Sequence, residues 1–396
     1  MKKYKIHLIY ILVFLFATSA FAQQEDSIRI SLLTCGAGDE IYSHYGHTAI
    51  RCENFTKRTD VVYNYGVFDF DTPNFIWRFT LGETDYLLGK NSFSNFATAY
   101  YYYGRKVIQQ ELNLTSSEKQ KLIALLEENY LPKNRSYRYN FFYDNCATRP
   151  RDLIEKALDN KVLYKEDMNA TDTGMTFRKL LHQYNGQHPW ASFGIDLCIG
   201  SEADTPISRR EMMFIPFCVE TFFTQANIID HNKELRPLVI SQSSIITPPE
   251  IQQSNCIFTP IRVSLLLLII VSALTIIEIR KNKRWWYIDL FLFCFAGLAG
   301  CLLTFLSLFS QHPAVSQNYL IIALHPLYLL FLPWIILKIK RRERSLLLLI
   351  NTIILILFTL LWSVFPQDFP FAVLPLTLCL LIRGLNNLII TYKQPK

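Results

Sequence analysis

The chain has 396 residues, of which 51% are apolar and 18% charged, and its formal net charge is +7. That charge is split: residues 23–260 carry a net −5, whereas residues 261–396 carry a net +9. Basic residues gathered mostly in short loops between apolar segments do not point to nucleic-acid binding and report membrane topology instead.

The N-terminus opens with Lys2, Lys3 and Lys5, continues with an apolar run from Ile6 to Ala17, and ends in Ala20-Phe21-Ala22. A basic start, a short greasy core and a small-residue exit predict a signal peptide over 1–22. The exported part is then 23–260. Leu32-Leu33-Thr34-Cys35 has the look of a lipid-attachment site, but it lies beyond Glu25, Asp26 and Arg29, well past the greasy core, and is rejected as one.

Within the exported part, Thr48 to Arg51 and Val61 to Tyr65 read as short strands, and Lys106 to Leu114 as another. Thr115, with Glu118 three residues on, has capping-box spacing and predicts a helix to about Tyr130 with Leu122, Leu125 and Leu126 on one face. Tyr137 to Tyr143 reads as an aromatic strand that turns at Asp144-Asn145-Cys146 into a helix over about 146–159.

That junction is where nucleophilic chemistry is expected. Unpaired N–H groups and the dipole at a helix start favour a thiolate, so Cys146 is the candidate nucleophile, with Arg149 and Arg151 adding positive field. The competing reading is a structural cysteine, and sequence physics alone leaves the two level. A thiol nucleophile needs a base. His47 leads into a strand and is the candidate; a histidine on a strand facing a cysteine at a helix start is a papain-like arrangement. Asn64, in the following strand, is the candidate to orient its ring. Phe141 to Tyr143 are expected to shape the cleft wall. His44 is expected to face solvent, His182 and His188 to be surface or packing residues, and Asp196, Asp204 and Glu211 to be solvated loop charges.

Six cysteines, at 35, 52, 146, 198, 218 and 256, fall in the exported part, so up to three disulfides are possible there. Cys294, Cys301 and Cys379 lie in greasy segments as small apolar fillers. The absence of any Cys-x-x-Cys pair argues against zinc, and no metal or cofactor is expected.

Five apolar segments follow Pro260, at about 261–279, 286–310, 319–337, 345–365 and 369–390, predicting an all-α five-helix membrane domain over 261–396. Arg280 to Arg284 and Lys338 to Arg344 are the basic loops and belong on the cytoplasmic side. This places the exported domain on the far side of an inner membrane and the C-terminus in the cytoplasm. His325, inside the third segment, is a candidate for a function within the membrane, against a neutral imidazole bonded to a neighbouring helix.

Ser31 to Cys35, Gly46-His47-Thr48-Ala49-Ile50-Arg51 and Tyr139 to Arg149 together resemble the signature blocks of the Bacteroides-type lipoprotein N-acyltransferase family. Met213-Phe214-Ile215-Pro216 resembles a later block. The resemblance implies an α+β, circularly permuted papain-like (NlpC/P60-like) domain followed by the membrane helices. It also implies transfer of a fatty acyl chain from membrane phospholipid to the α-amino group of the diacylglyceryl-cysteine of a lipoprotein. Carried across, Cys146 is the acyl-carrying nucleophile and His47 its general acid/base. The residues themselves add Asn64 as the candidate third member and Arg149, Tyr143 and Phe142 as candidate substrate contacts. The expected partners are therefore phospholipid, diacylated lipoproteins and the bilayer. A membrane-anchored cell-wall peptidase or amidase, a phospholipase or thioesterase, and a scaffold with a disulfide-bonded Cys146 are the alternatives.

Overall fold

The computed structural model describes residues 27–69, 71, 73–230, 232–248 and 257–392. The expected signal peptide lies outside these, as do His231, Cys256, Lys393 and Lys396.

The chain begins with strands β1 (Ile28–Cys35), β2 (His47–Asn54) and β3 (Thr59–Val67). Then come helix α1 (Phe75–Leu81), strand β4 (Asp85–Ser92), helix α2 (Phe93–Tyr102), strand β5 (Val107–Leu112), helix α3 (Ser116–Tyr130) and the short strand β6 (Ser136–Arg138). Helix α4 (Thr148–Ala157) and strand β7 (Val162–Leu163) precede the helices α5 (Phe177–Tyr184), α6 (Pro189–Cys198), α7 (Arg209–Met212) and α8 (Pro216–Gln225). Strands β8 (Asn227–Ile229), β9 (Leu235–Pro237) and β10 (Val239–Ile246) close the soluble part.

Seven strands form one antiparallel sheet in the order β10-β5-β1-β2-β3-β4-β6, and β7, β8 and β9 form a small second sheet. Both faces of the large sheet are covered, so β1 is buried on both sides from Ile30 to Cys35, the polar Ser31 and Thr34 included. One face carries Ile30, Leu32, Ile50, Tyr63 and Tyr65 against Leu122 and Leu126 of α3, Ile154 of α4 and Val219 and Phe223 of α8. The other carries Leu33, Cys35, Ala49, Val62 and Val107 beneath Phe96 of α2. The predicted capping box is present: Thr115 Oγ1 accepts from Glu118 N–H at 3.4 Å, and Glu118 Oε2 accepts from Thr115 N–H at 2.8 Å.

The expected strand from Tyr137 to Tyr143 stops early. Asn140 Oδ1 accepts the N–H groups of Phe142 and Tyr143 at 3.2 and 3.3 Å, and Asn140 and Asp144 exchange backbone hydrogen bonds, so the chain folds back on itself. The helix after Cys146 also starts later than expected. Asn145 Oδ1 takes the N–H groups of Ala147 and Thr148 at 2.8 and 3.0 Å. Cys146 therefore stands in the turn just ahead of α4 rather than in its first turn.

The C-terminal part contains α9 (Pro260–Arg280), α10 (Trp286–Phe309), α11 (Leu327–Leu330), α12 (Leu332–Arg341), α13 (Leu346–Leu360) and α14 (Val373–Tyr392). Among the described residues, α9, α10 and α14 are long and apolar enough to cross a membrane, and α12 with α13, bent by 105°, would make a fourth crossing if counted as one. The segment expected as one helix over 319–337 is broken into a 3-10 turn and the short α11 and α12, with Pro326 and Pro333 at the breaks. The segment with the most interruptions in sequence, by contrast, forms the continuous α14: Pro375 sits in its first turn and Arg383 is matched with acids. Arg383 is fully buried, donates to Asp289 at 2.9 and 2.6 Å, and pairs with Glu278.

The two parts interlock. Gly200 N–H donates to Ala314 O at 2.8 Å and Ser201 N–H to Gln317 O at 3.3 Å. Asn318 Nδ2 donates to Leu197 O at 2.7 Å. A Cβ at Gly200 would stand 1.7 Å from Ser316 O, so only glycine fits this contact.

Candidate functional site

His47 opens β2 and Asn64 lies in β3. The pairing of these strands ends at Ala49–Asn64, while on its other edge β3 stays paired with β4 past an irregularity between Asn64 and Val67. On this face, directly opposed and next-but-one residues share a side of the sheet, so His47 and Asn64 sit together. Asn64 Oδ1 accepts from His47 Nε2–H at 3.3 Å, and the side chain of Asn64 is buried. That bond, with the tautomer assigned from the amide acceptor, leaves the lone pair on Nδ1.

Cys146 enters where the two strands part. The backbone N–H of Thr48, the residue after His47, points at its sulfur, as does its own N–H. Gly66, at φ +88°, has no side chain to block the approach: a Cβ there would lie 3.4 Å from Cys146 Cβ. The Tyr139 hydroxyl donates to Cys146 Sγ at 4.0 Å. Cys146 as a residue is half-buried, whereas Cys35, Cys52 and Cys218 are buried; these four and Cys198 are all free thiols.

The electrostatics favour a neutral resting pair. Desolvation by the enclosing strands and rings pushes the Cys146 thiol up, against the hydrogen bonds from Thr48 and Tyr139 and the field of Arg105, which pull it down. Desolvation brings His47 down to about 4, with Arg105 adding to the fall and Asn64 opposing it. Cys35, the register partner of His47 in β1, is pushed up to about 12 by burial.

The cation near the sulfur was not visible in the sequence. Arg149 is bound bidentately by Asp144 at 2.6 Å and lies 3.5 Å over the Tyr137 ring. Arg105, just past the Tyr100–Tyr103 run, donates through Nε to Gly36 O at 2.9 Å and stacks 4.8 Å from the Tyr100 ring. One of its terminal nitrogens is buried and has no protein partner, and its field acts on Cys35, His47 and Cys146 alike. The tyrosine run was the only local signal, and it reads as core packing rather than as a platform for an arginine.

Other expected residues fall elsewhere. Phe142 is not a cleft wall: it is 2% exposed and stacks on Phe177 at 4.1 Å in a separate apolar core. Tyr143 is exposed, and its hydroxyl donates to Glu202 at 2.7 Å. His44 is buried rather than solvent-facing, stacked on His188 at 4.0 Å and donating to Asp39 O at 3.0 Å. Asp196 and Asp204 are not solvated: both clamp the buried Arg178, and Asp196 also accepts from His182 at 2.9 Å. Nothing in the local sequence marks that four-residue knot, because its members come from three elements. Among the described residues no cluster of His, Cys, Asp or Glu is arranged to hold a metal ion.

Residues 20–183 match the Lnb N-terminal periplasmic domain, and residues 251–395 match the Lnb transmembrane domain. Comparison with curated proteins and with solved structures gives no match. A periplasmic domain joined to apolar helices in this order makes the chain an inner-membrane protein. With both of its parts matched in sequence order, the chain belongs to the Bacteroides-type lipoprotein N-acyltransferase (Lnb) family.

Proposed function

We propose that this protein moves a fatty acyl chain from phospholipid to the α-amino group of a diacylglyceryl-cysteine, through a thioester on Cys146. The observation that carries the reading is the meeting of Cys146 with the start of β2, where Thr48 N–H contacts the sulfur and His47 is held by Asn64. Family membership supports the acyltransferase class. In this reading His47 Nδ1 takes the thiol proton as the sulfur attacks a phospholipid ester carbonyl. The Cys146 N–H and the Tyr139 hydroxyl are the donors nearest the oxyanion that forms, and Arg105 supplies positive field. The C–O bond breaks, and the lysophospholipid oxygen leaves with the proton from the imidazolium. The lipoprotein amine then attacks the thioester; the amide forms, the C–S bond breaks, and the proton released by the amine returns to the thiolate through His47. A thioester is activated toward amines, so neither ATP nor a metal enters the scheme.

The same reading takes residues 1–22 as a signal peptide, 23–260 as a permuted papain-like domain and 261–396 as a multi-pass domain of five crossings with its C-terminus in the cytoplasm. A thiol ahead of a helix, with the imidazole earlier in the chain on an antiparallel strand, supports the permuted arrangement. The test is incubation of the purified protein with phospholipid vesicles and a diacylated lipopeptide. The lipopeptide is expected to gain one acyl chain, Cys146→Ser to abolish the gain, and omission of the lipopeptide to leave an acyl adduct on Cys146. Activity without any adduct ends the thioester path, and release of free fatty acid with no acylated peptide makes the enzyme a hydrolase.

A further inference from the structure

Helix α1 is an unusual surface helix. Ile76, Trp77 and Phe79 are 80%, 58% and 49% exposed, so among the described residues much of its large apolar surface is left open. Its height is fixed by the membrane part. Trp77 packs on Phe305, one turn from the end of α10, with ring centroids 5.2 Å apart. Gln311 N–H donates to Leu81 O at 2.8 Å, and His312 donates from Nε2 to Phe79 O at 3.0 Å. Gly82, at φ +73°, ends the helix against His312 and Gln311. The neighbouring end of α10 is itself apolar and open, with Leu308 70% and Phe309 63% exposed. Arg78 and Arg138, both at Asp85, lie beside the patch, where long basic side chains reach headgroups while their stems stay in apolar surroundings.

A row of rings leads inward from this helix. Phe79 stacks on Phe75 at 6.1 Å, Phe75 on Phe68 at 5.7 Å, Phe68 meets Tyr86 at 5.2 Å, and Tyr86 stacks on Tyr139 at 4.3 Å. Tyr139 is the residue whose hydroxyl reaches Cys146 Sγ. The row thus runs without interruption from a surface level with the last turn of a membrane helix to the sulfur.

We propose that α1 lies in the outer leaflet and guides one phospholipid acyl chain along Phe75, Phe68, Tyr86 and Tyr139 to Cys146. The occupant is a lipid chain rather than a protein, because the exposed side chains sit beside the last turn of an apolar helix long enough to cross a membrane, whose own Leu308 and Phe309 are open there. The proposal rests on the acyl-transfer reading above and adds to it the route by which the donor enters.

The test uses the full chain in phosphatidylethanolamine vesicles containing a phospholipid with a photoreactive diazirine in its acyl chain. Adducts mapped by mass spectrometry are expected on 75–81 and on Phe68 or Tyr86; adducts confined to α9, α10 and α14 overturn the proposal. This readout needs no turnover, so it stands even if the unmodified chain forms no thioester, a result that would sink the acyl-transfer reading instead. In a second arm, Ile76→Asp is expected to slow acylation of Cys146 from vesicles about tenfold, the scale of one aliphatic side chain's lipid contact, with Ile76→Leu restoring the rate. An Ile76→Asp rate equal to that of the unmodified chain overturns the proposal.

Discussion

The protonation of the site makes a sharp prediction about thiol reactivity. Some cysteine enzymes rest as a thiolate–imidazolium pair, whose alkylation rate is flat across neutral pH. Here burial raises Cys146 above its ordinary 9.0 and brings His47 down to about 4, a gap of at least five pH units. Moving the proton from sulfur to imidazole across that gap costs about 7 kcal/mol at 1.36 kcal/mol per unit. Attraction between the resulting charges returns at most about 4 kcal/mol, the value for a separation of ~4 Å at an effective dielectric of 20. The neutral pair is favoured by the remaining ~3 kcal/mol, so the ion pair amounts to under about 1% of the resting protein. Iodoacetamide labelling of Cys146, followed by mass spectrometry, should therefore accelerate about tenfold per pH unit between about pH 6 and 8, because only the thiolate reacts. A plateau over that interval would refute the reasoning, and its loss in His47→Ala would identify the imidazolium as the cause.

Three further outcomes follow from the geometry. Asn64→Ala removes the acceptor that orients His47 and is expected to lower the rate of Cys146 acylation about tenfold, the scale of one hydrogen bond; an unchanged rate removes Asn64 from the site. Arg383→Leu strands Asp289 without a cation and leaves Glu278 only Arg284 at 3.8 Å; it should cost about 3–5 kcal/mol of stability, read as a lowered melting temperature in detergent, with Glu278→Gln and Asp289→Asn added to it recovering most of the loss. A single variant that melts like the unmodified chain would show that the network carries no such load. Gly200→Ala puts a methyl 1.7 Å from Ser316 O and should disrupt two interdomain backbone hydrogen bonds, a loss of about 2 kcal/mol seen as faster proteolysis at the 199–201 and 313–318 loops; unaltered cleavage would contradict the fit.

The sequence carried the local features well. Thr115 and Glu118 marked a helix start through side-chain chemistry confined to four residues, and His47, Asn64 and Cys146 stood out because their types suit one reaction. What escaped depends on contacts between distant segments. Asn140 and Asn145 look like ordinary turn residues, yet their side chains capture backbone N–H groups, cut β6 short and hold Cys146 ahead of α4. Arg149 and Arg105 are equally cationic in sequence; only the fold assigns one to Asp144 and the other to Gly36, from where its field reaches the sulfur. Phe142 and Tyr143 are adjacent and similar, but one is core and the other exposed. In the membrane part, hydropathy marked greasy stretches and could not tell a straight crossing from the broken path around Pro326 and Pro333.

The buried arginine of α14 also bears on how the chain is built. A segment carrying Arg383 at its middle enters a bilayer at a cost of about 2.5–3.5 kcal/mol as long as it is alone. Its carboxylate partners are in α9 and α10, made more than ninety residues earlier. The last helix is therefore a poor insertion signal in isolation and a good one beside its predecessors. Biogenesis must keep α9 and α10 close to the translocon exit until α14 emerges, and a truncated chain ending before it would leave two acids in lipid, a ready mark for membrane quality control.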